Sequence, residues 1–144
     1  MKILTLLILG LFSATAFADP ATTVKLRRLE LLTIQVAVPG QTKTVPFSYA
    51  DVIRQMMLTT SPRGTTSDDL VKTVEAWEPM KKAIDGGAKE LFLDQPTYDI
   101  LVKKMDDMSW SPLPDFAEAA ADFISYVRGL QPQDYDATPK IPSP

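Results

Sequence analysis

The apolar positions of this chain change their period several times, and each change marks a new element. From Ile3 to Phe12 they run almost unbroken, behind the single cation Lys2 and interrupted only by Thr5 and Gly10. Small residues close that run, with Ala16 and Ala18 at the −3 and −1 positions before Asp19-Pro20. A cationic start, a short apolar stretch and a small-residue cleavage site are the parts of a secretory signal peptide. Residues 1–18 are therefore expected to be removed between Ala18 and Asp19, and the rest exported to a bacterial periplasm or envelope. Left uncleaved, residues 3–17 would act as an anchor, although they fall short of the roughly 20 residues that span a bilayer as a helix.

Beyond the leader, Val24 to Val38 carries β signals. Leu32, Ile34, Val36 and Val38 alternate with Thr33, Gln35 and Ala37, the period of two of a half-buried strand. Leu29 and Leu31 are in the other phase, so the Leu31-Leu32 pair predicts a bulge or a strand start near residue 31. Pro39-Gly40-Gln41-Thr42 reads as a turn, and Lys43 to Phe47 returns as a second strand with Val45 and Phe47 inward. Pro46 removes one amide donor and places that strand at an edge.

The period then lengthens to that of helices. Ser48 is the expected N-cap of a first helix, with Asp51 as its capping-box acid, an apolar face of Tyr49, Val52, Ile53, Met56 and Met57, and an end near Leu58. Thr66 or Ser67 caps the next, whose stripe is read as Leu70, Val71, Val74, Trp77 and Ile84. Pro79 should kink or split it, and Gly86 is the expected left-handed cap. Glu90 to Leu93 is too short for period to decide between a third strand and an extended plug. Asp94 caps a helix with Pro96 in its first turn and Tyr98, Leu101, Val102, Met105 and Met108 on one face. After the connector Ser109 to Pro114, a last helix from Asp115 carries Phe116, Ala120, Phe123, Ile124, Val127 and Leu130. Residues 131–144 hold four prolines among polar residues and are expected to be a disordered tail. The sum is one α+β domain over residues 19–130: an N-terminal β-hairpin, with a possible short third strand, packed on about four α-helices.

Composition narrows the chemistry. The 144-residue chain has no cysteine and no histidine, which removes disulfides, thiol nucleophiles, imidazole bases and thiolate or imidazole zinc sites. No cofactor is expected. Net charge is −3, and the cations are scattered in pairs such as Arg27-Arg28 and Lys81-Lys82, which argues against nucleic acid as the partner. What remains are the carboxylate pairs Asp68-Asp69 and Asp106-Asp107. They are read as a helix-start pair and a solvated-face pair, with a histidine-free hydrolase using these acids as the alternative. Convergence of two of them in one pocket would favour that enzyme. The methionines read as ordinary core. Trp110, between serines in a proline-bounded connector, is either a wedge into the core or an exposed anchor for a protein partner.

Val24 to Leu130 resembles, in pattern, a loose class of small tailed-bacteriophage and prophage proteins. The residues that carry the likeness are the strand-turn-strand Leu32 to Phe47, the helix opening Ser48-Tyr49-Ala50-Asp51-Val52, the stretch Lys89-Glu90-Leu91-Phe92-Leu93-Asp94, the Tyr98-containing helix and the aromatic connector at Trp110. The resemblance implies a non-catalytic interaction or assembly role, with no catalytic residues to carry over. A signal peptide is foreign to virion assembly, so the two together point to a phage-encoded protein of the bacterial envelope. Intact mass of the protein recovered from a soluble envelope fraction is expected to begin at Asp19. An uncleaved chain found only in the cytosol would refute the address.

Overall fold

The computed structural model describes residues 23–38, 42–110 and 114–136. The expected leader with its expected cleavage residues Ala16, Ala18 and Asp19, the turn residues 39–41 and residues 137–144 lie outside the described residues. In chain order the elements are β1 (Thr23–Glu30), β2 (Thr33–Ala37), β3 (Thr44–Ser48), α1 (Tyr49–Leu58), α2 (Ser67–Asp85), β4 (Glu90–Leu93), α3 (Gln95–Asp107), α4 (Pro114–Gly129) and β5 (Gln133–Asp136). The protein is α+β, as its pattern predicts, but its strands form two sheets: the antiparallel hairpin β2-β3 and an antiparallel sheet in the order β4-β1-β5.

The hairpin follows its alternation. Ile34 faces Phe47 and Val36 faces Val45 in the register, and these four are half-buried while Thr33, Gln35, Ala37 and Pro46 are exposed. Each strand of a two-stranded ribbon keeps a free edge, which is where a proline is tolerated. The change of phase at Leu31-Leu32 is a passage between sheets. Leu31 N–H donates to Lys89 O at 2.8 Å, and Leu32 O accepts from Tyr49 N–H at 2.9 Å. Half of the connector thus belongs to each sheet.

β1 is the centre of the larger sheet. Leu29 pairs with Leu91 of β4, and Val24 pairs with Tyr135 of β5. The third strand is therefore real, and a further one lies where a disordered tail is expected. Residues 133–136 are polar on average, but they need only backbone groups to complete β1's ladder, and composition does not report that. Leu29, Leu91 and Leu93 turn to the helices and are buried; Phe92 turns outward.

The helix ends follow the sequence closely. Ser48 Oγ accepts from Asp51 N–H at 3.3 Å, the backbone half of a capping box; the Asp51 carboxylate pairs with Arg54 instead of reaching back. Asp94 Oδ1 accepts from Thr97 N–H at 2.9 Å. At the end of α2 the left-handed residue is Gly87, with φ +75°, whereas Gly86 has φ −77°. Ala88 N–H reaches Ala83 O and Gly87 N–H reaches Ile84 O, both at 3.0 Å, which makes a Schellman ending one residue later than expected. Pro79 does not split α2. It lies on the exposed side of the helix, which runs on unbroken to Asp85.

The stripe of α2 is corrected. Thr73, Ala76, Trp77 and Met80 face inward, with Ile84 half-buried, while Leu70, Val71 and Val74 face solvent. At 100° per residue Val74 and Val71 stand some 60° and 120° round the helix from Trp77, off the packed face, while Leu70 is within about 20° of it but sits two turns nearer the helix start and is left uncovered. In the other helices the expected faces hold. Ile53, Met56, Leu101, Met105, Phe123 and Val127 are fully buried with Leu29 and Leu93, so four of the methionines (Met56, Met57, Met80 and Met105) are core.

Polar ties hold α4 to β1. Tyr126 Oη accepts from Glu30 N–H at 2.9 Å, and Tyr98 Oη donates to Val127 O at 3.2 Å. The Arg27 guanidinium lies 4.2 Å above the Tyr98 ring while its Nε–H donates to Leu130 O at 3.2 Å. Leu29→Ala is expected to lower unfolding free energy by about 3 kcal/mol, the cost of a cavity at a buried leucine. Leu70→Ala should change it by less than about 0.5 kcal/mol, as at an ordinary surface position. Urea titrations of the two variants check this, and equal losses would contradict the assigned faces.

Candidate functional site

The acids singled out from the sequence are placed first. Asp68 accepts from Lys72 Nζ at 2.6 Å one turn along α2, while Asp69 turns across to α3 and meets Lys103 Nζ at 2.7 Å. Thr66 and Asp69 cap each other: Asp69 N–H donates to Thr66 Oγ1 at 3.1 Å, and Thr66 Oγ1 donates to the Asp69 carboxylate at 2.9 Å. Asp106 is bound by Arg128 at 2.6 Å. Asp69 and Asp107 do line one cleft between α2 and α3, of about 50 Å³, but Lys72, Lys103 and Lys104 line it too.

That cleft has the electrostatics of an ion-pair seam. The Lys103 ammonium, followed by the Thr66 hydroxyl, holds the Asp69 carboxyl below the usual aspartate range. A general acid needs the opposite shift, which burial or a second carboxylate would supply. Asp85 is likewise held low, by Lys81 and Arg54. Among the described residues no group of three or more acidic or other ligating side chains could hold a metal ion.

The feature with the shape of a binding site lies on the other side of the core. Trp110 combines the two readings of its position. It is half-buried, with its Nε1–H donating to Met105 O at 3.0 Å and its ring 6.3 Å from Phe123. Its remaining edge lines a groove of about 370 Å³ between β3, α1 and α4, shared with Phe47, Val52, Phe116, Ala120 and Ile124. The Phe47 and Phe116 rings stack at 6.1 Å along one wall. Gln55 and Ser109 are the polar side chains that join them, and no charged residue does so among the described residues. A wider depression of about 540 Å³ lies between α2 and α3, but Lys72, Glu75, Asp94 and Asp99 make it a charged surface hollow.

The groove exists because α4 presents Ala117, Ala120 and Ala121 there. Three side chains without a γ-carbon leave room that leucines in the same places would fill. The sequence signal was the run Ala119-Ala120-Ala121 beside Phe116, of which the period placed Ala120 in the core stripe. No described helix is long and apolar enough to cross a membrane. Compared with protein-family models, curated proteins and solved structures, the chain matches none.

The Asp69 carboxyl offers a direct check on the ion-pair seam. Its folded-state pKa lies below its unfolded one, so its contribution to stability is complete above the ordinary aspartate range and disappears as pH falls through the lowered value. In a carboxyl NMR titration, Lys103→Met is expected to move the Asp69 midpoint upward toward the ordinary range. A midpoint that stays low would mean that Lys103 does not hold it.

Proposed function

We propose that this chain is an exported, non-catalytic interaction protein of the bacterial envelope, of the kind that phages and prophages encode, and that it takes an apolar side chain of a protein partner into the Trp110 groove. The observation that carries the reading is the groove itself: an apolar recess of about 370 Å³, lined by Phe47, Trp110 and Phe116 and by the alanines of α4, with no charged residue among the described residues that line it. Interface hot spots are recesses of this kind, where a large side chain is fully desolvated by a rigid aromatic frame. Trp110 and Phe47 are fixed from behind by the core, so little conformational entropy is lost when an anchor enters.

The remaining support comes from the sequence: a leader that directs export, no histidine or cysteine, and a net charge of −3 that suits neither nucleic acid nor an anionic lipid surface. The carboxylate hydrolase has weaker support, because the two acids that share a cleft share it with three lysines.

A photo-crosslinking amino acid at Ala117, in the mature chain expressed in its native host, tests the proposal. A discrete adduct in the envelope fraction is expected, with none from the same probe at Ser125 on the exposed side of α4. Ala120→Arg, which puts a long cation into the recess, should abolish the adduct while leaving the thermal melt within a few degrees. Adducts of equal yield from both positions, or one untouched by Ala120→Arg, would refute the groove as the contact.

A further inference from the structure

Of the six methionines in the chain, all but Met1 follow the expected leader, and burial divides them. Met56, Met57, Met80 and Met105 belong to the core and are at most 4% exposed. Met108 is the one methionine among the described residues that is not buried. It caps the end of α3, packs against the core from one side and lines the Trp110 groove on the other. The chain has no cysteine, so no thiol is present to take up an oxidant first. We infer that Met108 is an oxidation site, and that a peroxide, by converting its thioether to the sulfoxide, closes the Trp110 groove to an apolar side chain of a partner. The second half of this inference rests on the groove being a contact site.

The reaction is a two-electron oxygen transfer. A lone pair of Met108 Sδ attacks one oxygen of hydrogen peroxide, the O–O bond breaks and an S–O bond forms. The departing hydroxide takes the proton from the transferred oxygen and leaves as water, so that sulfur is oxidised and the peroxide reduced. Exposure decides which methionine reacts. The four core sulfurs are reached only when the structure opens around them, whereas Met108 is reached in the native state.

The position of Met108 gives the product its effect. A thioether is apolar and polarisable, and suits a groove framed by Phe47, Trp110 and Phe116. A sulfoxide oxygen is a hydrogen-bond acceptor. An apolar side chain that entered beside it would strip its water and return no hydrogen bond, which is costly. Gln55 and Ser109 line the same groove and carry N–H and O–H donors, which favour the sulfoxide while the groove is empty. The fold is spared because Met108 ends α3 through its backbone, its N–H donating to Lys104 O at 3.0 Å, and its side chain lies at the border of the core. Thiol-dependent reductases return a methionine sulfoxide to the thioether, so the change is reversible.

Peptide mapping of the purified mature chain after graded exposure to hydrogen peroxide is expected to show one added oxygen at Met108, appearing at least about tenfold faster than at Met56, Met57, Met80 or Met105. The thermal melt should stay within a few degrees of the unoxidised chain. Purified chain with the photo-crosslinker at Ala117, oxidised and freed of peroxide before it meets the envelope fraction, should give about tenfold less adduct, the scale of one unsatisfied polar group in an apolar contact. Met108→Leu, which removes the sulfur, should keep its adduct through the same treatment, and Met108→Gln should show the reduced yield without any oxidant. Equal rates of oxidation at all five methionines overturn the inference. So does an adduct that survives full conversion of Met108, or an equal loss from Met108→Leu. No adduct before peroxide refutes the groove as a contact and the second half of the inference with it, while the oxidation map, which needs no partner, still decides the first.

Discussion

Leu29 lies at the middle of β1, wholly buried, with Leu91 across the ladder on one side and the α3 and α4 side chains beneath it. The strand that carries it joins three distant stretches of chain: β4, about 60 residues on, and β5, about 110 residues on, both pair with it. With no disulfide to close these loops, the backbone ladder of β1 and the apolar surface under Leu29 must offset the loop-closure entropy themselves. The ties from Arg27 and Glu30 to α4 add to this, because they hold the last helix against the strand at two levels.

Outside that core, two apolar surfaces among the described residues differ in kind. At the Trp110 groove the frame is aromatic, the floor is alanine and the recess is concave, which suits a single inserted side chain. On α2 the exposed side chains Leu70, Val71 and Val74 are aliphatic and stand on a convex helix surface. Acids and lysines pair across α2 and α3, as at Asp69 and Lys103, where the ammonium holds the carboxyl below the usual aspartate range.

Much of this was legible in the sequence because it is local. The cap at Ser48 and the cap at Asp94 depend on residues three apart, and the hairpin from Thr33 to Ser48 depends on alternation. The readings that failed depend on residues far apart. Period put Leu70, Val71 and Val74 in the stripe of α2 with Trp77, but period does not say how far round or along a helix its neighbours reach, and only Trp77 and Met80 are covered. Gln133–Asp136 looked like tail because its contribution is backbone, not side chain. The groove was hidden in the opposite way: Ala120 reads as a core residue by period, and only the placement of Phe47 and Trp110 around it turns a small residue into a cavity.

The pairing of Thr23 with Asp136 sets the order of events during synthesis. β1 is the first strand made, yet its two neighbours arrive only after α2 and after α4. Helices and the β2-β3 hairpin need nothing distant and can form early, while the central strand waits, extended and unpaired, for most of the chain. The larger sheet therefore cannot close until residue 136 has been made, and its stability is gained in one late step rather than strand by strand.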